Sequence, residues 1–129
     1  MSIRRTTSLL LLVASGCSGG DMHVRAHVTS APCGAAETPA AGATVSMDCP
    51  QVIKSSAPSE LGKTDAQGQF AIDEPLFGRW IHDGCDLIVE MPGFQTRRYP
   101  VKEVCQRYSA NHCTYAALSA KLAPATACR

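Results

Sequence analysis

The residues able to do chemistry are four histidines, a cluster of carboxylates and seven cysteines. His23 and His27 fall in a run that alternates apolar and polar, so both point to one face of a strand. Four residues of strand separate them by ~13 Å, too far for one metal ion to bridge without a partner from elsewhere. They read as solvated surface histidines. His82 stands beside Asp83, and His112 beside Cys113. Sequence neighbours rarely face one another, so neither pair reads as an acid–base dyad. Asp83, Asp86 and Glu90 are closely spaced, and strand phase puts Asp86 and Glu90 on one outward face. A carboxylate pair or a Ca²⁺ site is the chemical option there. A solvated strand edge is the reading adopted. No G-x-S-x-G elbow occurs, so no serine nucleophile is assigned. The expected catalytic, cofactor and metal sites are therefore none.

The cysteines carry the strongest pattern. Cys33, Cys49, Cys85, Cys105, Cys113 and Cys128 are widely spaced and include no C-x2-C pair, which argues for disulfides rather than zinc. Fifteen pairings are open in principle. Cys49 lies in phase with Val45 and Met47, and Cys85 with Leu87 and Val89, so both should point into a core and bond to each other. That link would close a loop of 36 residues and constrain the unfolded chain by roughly 3–4 kcal/mol. Cys105 with Cys113, flanking a loop, and Cys33 with Cys128, joining the first long loop to the C-terminal tail, complete the expected set.

The seventh cysteine, Cys17, ends a different segment. Arg4 and Arg5 precede the apolar run Leu9 to Ala14, and the small residues Ser15 and Gly16 stand just before Cys17. A basic start, a short apolar stretch and small residues are the parts of a secretory signal. The apolar run is far below the roughly 20 residues a bilayer span needs. Ala14-Ser15-Gly16-Cys17 resembles a bacterial lipoprotein signal, whose commonest form has Leu three residues before the cysteine. The resemblance implies cleavage before Cys17 and acylation of that residue, including palmitate, which anchors the chain at the membrane. Ser18 after it resembles the sorting pattern that directs such proteins to the outer membrane. On this reading 1–16 is signal peptide, 17–21 a tether and 22–129 one domain.

Composition narrows the partners. Without Arg4 and Arg5, ten Lys/Arg stand against eleven Asp/Glu, so no basic field exists to attract nucleic acid. The seven aromatics all lie in the second half, leaving Ala, Val, Leu and disulfides to carry much of the stability.

Alternation continues along the chain: Met22, Val24, Ala26 and Val28 face one way, then Ala43, Val45 and Met47, then Leu87, Val89 and Met91, with Ile88 outward. Leu61–Thr64 and Gln69–Asp73 flank a turn at Asp65-Ala66-Gln67-Gly68, Phe94–Val101 follows Pro92-Gly93, and Tyr115–Leu122 is the last strand. Ser30–Gly42 and Glu74–Gly84 read as loops, and Lys102–His112 as a stretch that holds a helical turn. Seven short strands at roughly ten-residue spacing predict an all-β, Greek-key sandwich.

Three segments sharpen that. Ala41-Gly42-Ala43-Thr44-Val45, then Lys63-Thr64-Asp65-Ala66-Gln67-Gly68-Gln69-Phe70, then Leu87 through Phe94 together resemble a carboxypeptidase regulatory-like domain. The resemblance implies a transthyretin-like sandwich over about residues 22–123 in which the matched residues are structural: Asp65 caps the turn, Gly68 supplies an unusual dihedral and Phe70 plugs the core. The transthyretin-like fold also includes 5-hydroxyisourate hydrolases, which resemble one another by a C-terminal Y-R-G-S; this chain has Pro124 to Arg129 there instead. The expectation is a non-enzymatic, lipid-anchored protein of the bacterial cell envelope that needs no cofactor; the enzymatic alternative, a small envelope hydrolase, finds no convincing constellation of residues. It would act by display, contacting an envelope protein, or a glycan or peptidoglycan through residues such as Trp80 and the tyrosines.

Overall fold

The computed structural model describes residues 21–50, 57–75, 81–110 and 112–129. Among these the chain forms β1 (Asp21–Ser30), β2 (Thr38–Pro39), β3 (Thr44–Asp48), β4 (Ser59–Lys63), β5 (Gln69–Pro75) and β6 (Ile81–His82). There follow β7 (Asp86–Glu90), β8 (Arg97–Pro100), one helical turn α1 (Val101–Val104), β9 (Cys105–Ser109) and β10 (His112–Leu122). One sheet is built on β1, which pairs in parallel with β10 and antiparallel with β5, with β2 beyond. β6 and β9 both pair with β10. The other sheet has the order β4-β3-β7-β8, antiparallel throughout.

Period-two alternation makes each sheet two-faced. Met22, Val24, Ala26 and Val28 of β1 and Ala116, Leu118, Ala120 and Leu122 of β10 are buried in one cluster with Val45, Leu87 and Val89 of the second sheet. Many of these side chains are small, so each removes little apolar area from water, at about 25 cal/mol per Å². Three disulfides add covalent ties: Cys33–Cys128, Cys49–Cys85 and Cys105–Cys113. The same three pairs follow from strand phase and loop position in the sequence. Cys85 and Cys113 are buried in the core cluster, and Cys49 and Cys105 pack against it.

The turn between β4 and β5 is held as its residues suggest. Asp65 Oδ1 accepts the N–H of Gln67 and of Gln69, both at 2.9 Å. Gly68 has φ of 72°, in the left-handed region, and Phe70 is buried. Thr64 does more than the sequence suggested. Its buried hydroxyl donates to the Ala40 carbonyl at 2.5 Å and accepts the Ala43 N–H at 2.9 Å.

Three strands lie outside the expected set, and one outward-facing residue is buried. The loops over Ser30–Gly42 and Glu74–Gly84 each contain a two-residue strand, β2 and β6, and with β9 ten strands are described rather than seven. Lys102–His112 begins in the expected helical turn, α1, which ends at Val104, but β9 follows, antiparallel to β10 through a turn in which Ala110 takes φ of 54°. β9 is exposed beyond Cys105, so it carries no apolar alternation to betray it. Ile88 lies on the outer face by phase yet is only 3 % exposed. It pairs across the strands with Ser46 and Arg98, and the long Arg98 side chain spans this face to reach Asp48 and Asp86.

Candidate functional site

Polar side chains concentrate in three places: the outer face of each sheet, and the end of the sandwich where β1 begins. On the outer face of the first sheet, His23 Nδ1 meets Asp73 Oδ1 at 2.5 Å. Arg25 holds the same carboxylate at 2.7 and 3.0 Å, and also donates to the Ile72 carbonyl at 3.2 Å. Hydrogen bonds from His23 and then Arg25 hold the Asp73 carboxyl below its ordinary range. Tyr115 lies opposite His23 across the parallel pair, and the Arg107 guanidinium sits 5.9 Å from the Tyr115 ring. His27 lies further along, opposite Ser119 and Gln69. His23 and His27 thus share a face but not a partner. Beyond them Glu37 accepts from Thr29 at 2.6 Å and Lys121 at 2.8 Å, and the bonds from Lys121 and then Thr29 lower its pKa.

On the second sheet Arg98 reaches Asp86 at 2.7 Å and Asp48 at 3.2 Å. These bonds, to Asp86 first, stabilise the charged guanidinium and raise its pKa. Asp86 and Glu90 share the outer face, but Asp86 is committed to Arg98 and Glu90 lies opposite Thr44. They do not form a carboxylate pair.

The third place is the one the sequence did not assemble. His82 of β6 and His112 of β10 are direct cross-strand partners, with ring centroids 6.3 Å apart. The Gly84 N–H donates to His82 Nδ1 at 3.0 Å, so the neutral ring carries its proton on Nε2. Asp83 hydrogen-bonds Tyr108, whose phenol pKa is raised by desolvation and then by the Asp83 charge. Beside them a depression of about 470 Å³, open to solvent, is lined by Pro50, His82, Asp83, Asp86, Pro100 and Lys102. Sequence spacing could not reveal this, since only the β6–β10 pairing brings His82 to His112.

His23 and Asp73 have the relation of a base and its orienting carboxylate, but Arg25 holds the same carboxylate, and among the described residues no hydroxyl or thiol is hydrogen-bonded to His23. No group of three or more His, Cys, Asp or Glu converges on a metal position among the described residues. No helix among them is long and apolar enough to cross a membrane. Cys17 and Trp80 lie outside the described residues.

No protein-family model matches this chain, and no curated protein matches it. Among solved structures, the crystal structure of the major plantain pollen allergen Pla l 1 aligns over 84 % of this chain and 98 % of the allergen. The identity is 17 % and the TM-score 0.49.

Proposed function

We propose that the chain is a lipid-anchored, non-enzymatic display module of the bacterial cell envelope, held at the outer membrane through Cys17. Its domain is read as a Greek-key sandwich of the transthyretin-like kind, close to carboxypeptidase regulatory-like domains. The strand order supports that fold: the chain forms the β3–β4 hairpin in one sheet, crosses for β5, returns for β7 and β8, and crosses again for β10.

The single observation that carries the functional reading is how the ionisable groups on the sheet faces are used. His23, Arg25 and Asp73 hold one another, as do Glu37 and Lys121, and Arg98 with Asp48 and Asp86. Side chains tied in this way shape a surface and leave no poised nucleophile and base. The anchor rests on the basic, apolar and small-residue run ending at Cys17. Several acyl chains on one residue suffice to hold a protein at a bilayer where one barely does.

Density-gradient fractionation of envelopes tests this. The wild-type chain should travel with outer membrane, and a Cys17→Ala chain should not. A wild-type chain recovered in the soluble fraction overturns the anchor. A His23→Ala or His27→Ala change that abolishes a phenotype while the fold stays intact overturns the non-enzymatic reading.

A further inference from the structure

The depression beside His82 lies at a telling end of the molecule. β1 starts at Asp21, four residues after Cys17, so the tether reaches at most ~14 Å. β5 ends beside the start of β1, and β10, parallel to β1, begins there too. β6 pairs with the first two residues of β10, His112 and Cys113. Only Asp83, Gly84 and Cys85 lead from β6 to β7, whose first residue Asp86 lies beside Asp48 at the end of β3 and Pro100 at the end of β8. The depression therefore opens at the end of the sandwich where β1 starts.

Its lining carries both signs of charge. Lys102 and the Nε2–H of His82 donate; Asp83 and Asp86 accept. Arg98 takes Oδ2 of Asp86, leaving Oδ1 as an acceptor. Two carboxylates disfavour a polyanion, and Lys102 disfavours a simple dication. Among the described residues the lining holds no tyrosine, tryptophan or phenylalanine on which a sugar ring would stack.

We propose that this depression binds a zwitterionic phospholipid headgroup, a phosphate diester carrying a primary ammonium, in the bilayer that anchors the chain. This rests on the lipid-anchored reading above. Lys102 and His82 hold the phosphate oxygens, and Asp83 and Asp86 hold the ammonium. Solvent-exposed pairs of this kind are individually weak. A short tether compensates, because it makes the second contact intramolecular at an effective concentration in the millimolar range. The headgroup contact then fixes which end of the domain faces the lipid and turns the outer sheet faces away from it.

The test uses the full chain carrying Cys17→Ser, which has no thiol at that position to acylate, with soluble glycerophosphoethanolamine as the probe and backbone amide shifts as the readout. Saturable shifts are expected at residues 82–86 and at Lys102. Lys102→Glu and Asp83→Lys should each weaken binding at least about five-fold, with Tm confirming that both variants fold. Glycerophosphate alone and ethanolamine alone should bind more weakly than the joined molecule. Vesicles of phosphatidylethanolamine should shift the same residues and identify the lipid as the source. No saturable shift, or one that neither substitution weakens, overturns the proposal, as does a peptidoglycan fragment that shifts these residues where the headgroup does not. Acylation of the wild-type chain is assayed alongside. Headgroup binding without acylation overturns the anchor and leaves the site standing; acylation without headgroup binding overturns the site alone.

Discussion

Gly68 is pressed against Val28. The Val28 N–H donates to the Gly68 carbonyl at 2.8 Å, and a Cβ built on Gly68 would stand 2.2 Å from the Val28 carbonyl oxygen. Backbone lies on both sides, so nothing can move aside cheaply. Gly68→Ala should cost more than about 2 kcal/mol, combining left-handed strain with the clash. Gly34 has nearly the same φ, 71°, with nothing within 4 Å of its position, so Gly34→Ala should cost only about 1 kcal/mol of strain. Urea denaturation of the two variants checks this, and equal losses would contradict it.

Thr64 holds together the segments that meet at Ala40, Ala43 and the β4–β5 turn. Thr64→Val keeps the shape but leaves the Ala43 N–H and the Ala40 carbonyl without the hydroxyl. The expected loss is about 1–3 kcal/mol. Thr64→Ser retains both bonds and should recover most of it. The comparison of Tm between the two variants is the measurement.

How much was readable from sequence follows from which residues face the core. β1, β3, β7 and β10 were legible because Val24, Val45, Val89 and Leu118 alternate with polar neighbours, and the resulting phase also placed Cys49 and Cys85. β9 was not, because its residues past Cys105 all face solvent and alternate nothing. Ile88 was assigned to the outer face and lies there, but its burial depends on Arg98 arriving from another strand. His82 with His112, and Asp73 with His23 and Arg25, are cross-strand meetings between distant segments. Their register is set by the sheet and not by any spacing along the chain.

The disulfides should rank by the loop each closes. With sequence separations of 95, 36 and 8, chain entropy gives about 4–5 kcal/mol for Cys33–Cys128, 3–4 for Cys49–Cys85 and 2–3 for Cys105–Cys113. Paired Cys→Ser variants, unfolded in urea, should lose stability in that order. A Cys105/Cys113 variant that loses the most would show that local packing, not loop closure, dominates.

Acid should weaken the Asp73 cluster. Its carboxyl titrates below the ordinary 3.8 because His23 and then Arg25 donate to the ionised form. The folded chain therefore binds that proton less readily than the unfolded chain. The stabilisation is fully present above the ordinary carboxylate range and is lost as pH falls through the lowered value. The Tm gap between wild type and Asp73→Asn should be widest near neutrality and close as pH falls below about 4. A gap of the same size at both ends would contradict this assignment.

The central claim is that Cys17 carries the membrane anchor. Metabolic labelling with an alkyne palmitate, followed by mass analysis of the N-terminal peptide of the mature chain, tests it most directly. The account predicts a chain beginning at Cys17 with acyl groups on that residue, and no label on Cys17→Ala. A wild-type chain without label, or a Cys17→Ala chain that still takes it up and still sediments with membranes, would contradict it.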